Sequence, residues 1–177
     1  MVRIHLGASD RRAIPVLKQV FATKQAREAG RAQPVKLMTI WFGRCRCVTP
    51  LTAGANDAVL EGEAQHVPLD RYKDNLHRLV DIVSSPESDY HSPDTKVILI
   101  NAPPIISDKW HAHCRQNRIA RGEAAPDKPN RDPAQVKRYA DACVEVARAA
   151  GVPCVDIYNQ LIAAAGGDDP AKLDPYL

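Results

Sequence analysis

The chain predicts an α/β fold built on a parallel sheet, and three observations carry that expectation. Two near-continuous apolar runs, 35–42 (VKLMTIWF) and 96–101 (KVILIN), have the length of strands buried on both faces. Around them lie longer stretches whose apolar residues recur at helical spacing. The two patterns alternate along the chain, and Gly or Pro punctuates most of the boundaries.

Each element follows in order. Residues 2–6 (VRIHL) read as a short remnant strand. A first helix is predicted over 13–28, where Val16 and Val20, and Leu17 and Phe21, share a face, and Gly30 lies just past its end. After the strand at 35–42, a second helix follows Pro68. Leu69, Tyr72, Leu76, Leu79, Val80 and Val83 are periodic in it, and Pro86 lies just beyond. The strand at 96–101 is terminated by Pro103-Pro104. Residues 105–132 form a polar connection, long enough to serve as a lid. Asp132-Pro133 supplies the N-cap and first turn of a helix carrying Val136, Tyr139, Cys143 and Val144, closed by Gly151. A last strand is predicted at 154–158 and a short helix at 159–165.

Composition narrows the function classes. With 177 residues, 45% hydrophobic and 25% charged, the chain is one domain's worth and is expected to form a single domain over 1–177. Its net charge of +3 is spread among acids, which is no nucleic-acid signature. The opening MVRIHLGASDRR has no apolar core of a signal peptide, and no run of about 18 apolar residues exists, so a cytoplasmic location without membrane attachment is expected. Five cysteines, Cys45, Cys47, Cys114, Cys143 and Cys154, are odd in number, and free thiols are expected.

The motifs are more specific. Trp41-Phe42-Gly43 ends the strand at 35–42 and Ala55-Asn56-Asp57-Ala58 lies beyond it, followed by QHVPLDRYKDNL (65–76), KVILINAPP (96–104), RYADAC (138–143) and GVPCVDIYN (151–159). In this order and spacing the chain resembles the SGNH or GDSL-type hydrolases, and within them the isoamyl acetate-hydrolysing esterase-like group. The resemblance implies an incomplete three-layer α/β/α, flavodoxin-like fold. A complete member would have about five parallel strands, and here the nucleophile-bearing strand is missing. The strand at 35–42 would then lose a neighbour and present an aggregation-prone edge.

By the same resemblance the parent activity is hydrolysis of short-chain carboxylic esters, with a small-molecule ester as substrate and no metal or organic cofactor. The oxyanion hole would use Asn56, which matches the family's Asn block, and Gly7, eight positions before Pro15. The chain departs from the pattern in three ways. No Gly-Asp-Ser motif occurs, and LDPYL (173–177) stops about where the family's late Asp-x-x-His is expected. Residues 44–54 (RCRCVTPLTAG) also stand inside the motif, and deleting them joins WFG directly to ANDA, the mark of an insertion, a retained short intron or a gene-model error. The expectation is an esterase domain without its Ser nucleophile and base, and hence without turnover. The alternative is a pseudoenzyme that binds an acyl ligand or a protein partner. A nucleotide-binding flavodoxin-like domain is disfavoured by the lack of a Gly-rich phosphate loop.

Other residues have plainer readings. Ser9 fits a turn or N-cap better than a nucleophile. His111, His113 and Cys114 have no standard zinc spacing with Cys45 and Cys47, so no metal is expected. His66 reads as a structural residue near the site. Asp156 reads as a capping or paired carboxylate inside the last strand, and Asp57 as a loop residue held by side-chain hydrogen bonds.

Overall fold

The computed structural model describes residues 2–6, 10–33, 35–42 and 57–177. The stretch 44–54 lies outside them. Four strands, β1 (Val2–Leu6), β2 (Leu37–Phe42), β3 (Lys96–Ile100) and β4 (Cys154–Val155), form one parallel sheet in the order β1-β2-β3-β4. None of these strands contains a serine. Helices α1 (Asp10–Val20), α2 (Lys24–Glu28), α3 (Leu69–Ser84), α4 (Ser107–Ala120), α5 (Pro133–Ala149), α6 (Ile157–Ala165) and α7 (Pro170–Leu173) connect and follow them, and a short 3-10 turn closes the chain.

Strand order decides where the helices go. When consecutive parallel strands lie side by side, right-handed crossovers put every connecting helix on the same face. The contacts agree: α1 packs on β1 and α3, α3 on α5, and α5 on β3 and β4. Met38, Ile40, Val97 and Leu99 point into this layer and are buried. Leu37, Thr39, Trp41, Ile98 and Ile100 alternate with them on the opposite face and stay partly exposed. The fold is α/β with a parallel sheet, as expected, and among the described residues α1, α3 and α5 form one helical layer on it.

Periodicity explains the two principal helices. In α3, Tyr72, Leu76, Leu79, Val80 and Val83 form the buried stripe, each worth about 1.5–3 kcal/mol of burial. In α5 the Asp132 carboxylate accepts from Gln135 N–H at 3.0 Å, Pro133 occupies the first turn, and Val136, Tyr139, Cys143 and Val146 face the core. Gly151, at φ +66°, turns the chain out of α5 while Val152 N–H donates to Ala147 C=O at 2.9 Å.

Four expectations are corrected. The strand at 35–42 does not form an open edge: β1 pairs with it from Val2↔Met38 to Leu6↔Phe42, and β3 pairs with its other side. The predicted helix at 13–28 is two helices, because extended Thr23 caps α2 by accepting from Ala26 N–H at 3.2 Å, and Val20 is 39% exposed rather than core. The connection at 105–132 contains α4, whose only buried side chain is Trp110. The predicted strand at 154–158 is two residues long, since Asp156 starts α6.

Candidate active site at the carboxyl end of the sheet

In an open α/β sheet ligands meet the carboxyl ends of the strands. Here two polar clusters lie there, each centred on a buried residue. The first begins at Asn101, directly after β3 and 1% exposed. Its Nδ2–H donates to Asp156 Oδ1 at 2.7 Å and to Ala140 C=O at 3.4 Å, and its Oδ1 accepts from Tyr158 N–H at 3.2 Å. Asp156 also accepts from Asn159 N–H at 3.1 Å and Asn159 Nδ2–H at 2.7 Å. Burial pushes the Asp156 carboxyl up, but the hydrogen bonds from Asn101 and Asn159 outweigh it and hold it below its usual value. Asp156 is therefore a cap that ties β3 to α6, in line with its plainer reading, although at a helix start and not inside a strand.

The second cluster surrounds Asp57, the neighbour of Asn56. Asp57 is 4% exposed, and neither carboxylate oxygen has a hydrogen-bond partner among the described residues. The expected side-chain hydrogen bonds are thus not formed; the backbone does the holding, with Val67 N–H donating to Asp57 C=O at 3.2 Å. Burial raises the Asp57 carboxyl to about 7, and the charge of Arg131 opposes that rise. Arg131 is itself 3% exposed and stacks over the Trp110 ring at 3.9 Å.

Main-chain and side-chain contacts close this cluster. Val59 and Arg131 form an antiparallel bridge, and Leu60 N–H donates to Asn130 C=O at 2.9 Å. Trp110 Nε1–H donates to Asn130 Oδ1 at 2.9 Å, and Ser107 Oγ–H to Arg131 C=O at 3.2 Å. The end of the 105–132 connection is thereby pinned between the segment after Asn56 and α4. His66 belongs to the same frame: its Nδ1 lies 2.7 Å from Val59 C=O, which also accepts from Gln135 Nε2–H at 2.9 Å. A groove of about 480 Å³ opens beside it, lined by Leu60, Ser107, Lys128, Arg131, Gln135 and Arg138.

The two residues expected to form the oxyanion hole, Asn56 and Gly7, lie outside the described residues, as does Ser9. His111 Nε2 lies 3.0 Å from Pro126 C=O and His113 Nε2 lies 2.8 Å from Asn117 Nδ2, so each histidine is engaged within or near α4. Among the described residues no three His, Cys, Asp or Glu side chains gather into a metal-binding group. Nor is any of their helices long and apolar enough to cross a membrane. Sequence reasoning missed Asn101 and Arg131. An amide at the end of a buried apolar strand is a signal that could have found Asn101; Arg131 sits in a polar stretch that carries none.

No family model matches the chain. Curated relatives do. The isoamyl acetate-hydrolyzing esterase 1 homolog of Rattus norvegicus is 36% identical over 133 residues, which is 74% of this chain and 44% of that protein. A GDSL esterase/lipase of Arabidopsis thaliana is 29% identical over 164 residues, 91% of this chain and 57% of that protein. The chain spans about half the length of the curated relatives it matches. A lipase/acylhydrolase from Enterococcus faecalis of known crystal structure is similar over 88% of this chain and 54% of its own, with a TM-score of 0.48 and 18% identity.

Proposed function

The chain belongs to the SGNH/GDSL-type hydrolases, and from that premise we propose that it is the oxyanion-hole and scaffold portion of a carboxylic ester hydrolase for short-chain acyl esters. Asn56 and Gly7 are the oxyanion donors in this reading. Nucleophile and base come from no residue of these 177, so the chain by itself does not turn over. The single domain over 1–177, the insertion at 44–54 and a cytoplasmic location are parts of the same proposal.

The observation that supports it most is the frame behind Asn56. Asp57, Val59 and Leu60 are buried or backbone-paired to 130–131 and Val67 at the carboxyl end of the sheet, so the segment directly after Asn56 is held in place. An oxyanion donor must be fixed before the reaction, and one such donor is worth about 3 kcal/mol of transition-state stabilisation. In a complete enzyme, serine would attack the ester carbonyl, a histidine would take its proton, and Asn56 and Gly7 would receive the developing negative oxygen.

Hydrolysis of p-nitrophenyl acetate and butyrate by the purified chain tests this. The expected rate stays near the buffer background and does not change on Asn56→Ala. Saturable turnover that falls roughly 100-fold on Asn56→Ala would show a working catalytic centre and overturn the inactive reading. The groove beside Arg131 favours a second reading, a pseudoenzyme that binds an acyl ligand or a protein partner. Saturable binding of butyrate without hydrolysis would favour it.

A further inference from the structure

Cys143 and Cys154 stand on neighbouring elements that pack together, one on the buried side of α5 and the other on β4. Cys143 belongs to the buried core and Cys154 packs against that same cluster, and neither is in a disulfide. They differ in access. Cys143 is 1% exposed and lies against the Tyr72 hydroxyl, whereas Cys154 is partly exposed on the last strand of the sheet, next to Val155 at 38% exposure. A reagent from solvent meets Cys154 first.

We propose that Cys143 and Cys154 form an oxidisable dithiol in which Cys154 is the attacking thiol and Cys143 the resolving thiol, closing an intrachain disulfide between α5 and β4 at the expense of a small-molecule disulfide such as oxidised glutathione. The Cys154 thiolate attacks one sulfur of the glutathione disulfide, the S–S bond breaks, and one glutathione thiolate leaves. Cys143 then gives up its proton, its sulfur attacks the Cys154 sulfur, and the second glutathione leaves. The protein loses two protons and two electrons, and the oxidant is reduced to two thiols.

The electrostatics suit this division of roles. The hydrogen bond from Cys143 holds the Cys154 thiol below its usual value and favours the thiolate, while that same bond and burial keep Cys143 protonated until the second step. The reaction involves no part of the proposed esterase chemistry, so its outcome stands apart from that reading.

Peptide mapping of the native protein tests it. After treatment with oxidised glutathione and quenching with N-ethylmaleimide, trypsin cleaves at Arg148 and separates Cys143 in peptide 139–148 from Cys154 in peptide 149–172. The expected dominant product is these two peptides linked, lighter by two hydrogens than their sum and released by reductant. Cys143→Ser should leave glutathione on Cys154, and Cys154→Ser should abolish both products. A wild-type protein that stops at a glutathione adduct on Cys154, with Cys143 alkylated only after denaturation, would overturn the proposal. So would linkage of either cysteine mainly to Cys114.

Discussion

Asp57 buries a carboxyl group that, among the described residues, faces the charge of Arg131, and that sets how the segment behind Asn56 responds to pH. Its value rises from an ordinary 3.8 to about 7, because burial outweighs the arginine. For an acid with a raised folded value, the folded state holds its proton more tightly than the unfolded chain does. Its stabilising contribution is therefore fully present below about 3.8 and is lost as pH rises to about 7. Three units correspond to something on the order of 4 kcal/mol. We predict that Asp57→Asn is more stable than the wild type at pH 8 by about 1–3 kcal/mol, with the difference shrinking towards pH 5, as read by urea unfolding at the two values. A variant that loses stability equally at both would mean that the ionised pair with Arg131 dominates. Arg131→Met should cost about 3 kcal/mol at pH 8, since it removes the counter-charge and the stacking on Trp110.

The elements divide by how strongly burial marks them. β2, α3, β3 and α5 were legible because their apolar residues recur at the right period over a useful length, and the observed bounds differ from the predicted ones by a few residues. Helix α4 was not, because only Trp110 among its residues is buried and the rest of its sequence reads as solvent-facing polar chain. The break between α1 and α2 was hidden because 22–28 (ATKQARE) contains neither Gly nor Pro, and there a local cap at Thr23 wins over continued helix. At Asp156 strand and helix propensities were ambiguous, and the cap on α6 decided. Losing that cap has a measurable cost: Asp156→Ala should destabilise by about 1–2 kcal/mol in urea at pH 7 and leave Asn101 Nδ2 without its short partner, whereas Asp156→Asn should cost less. Of the candidate site, the motif at 55–58 pointed to the stretch that holds Asp57, while Asn56 and Gly7 lie outside the described residues. The Asn101–Asp156 and Asp57–Arg131 pairs were not legible, because each joins residues far apart in sequence.

At the scale of the molecule, the sheet has one well-covered face and one partly exposed face. Leu37, Trp41, Ile98 and Ile100 contribute apolar surface to the latter. Such a patch favours self-association. Ile98→Thr together with Ile100→Thr is expected to raise the concentration at which the purified chain stays monomeric, with a change in Tm of no more than about 4 °C, as followed by light scattering and thermal unfolding. Unchanged association would place the sticky surface elsewhere.

The proposal that this chain carries oxyanion donors without a nucleophile is tested most directly by a fluorophosphonate probe, which forms a covalent adduct only with an activated serine. Intact-mass measurement of the purified chain after prolonged exposure should find no adduct. A stoichiometric adduct mapped to a serine, Ser9 above all, would contradict the account and make the chain an enzyme with its own nucleophile.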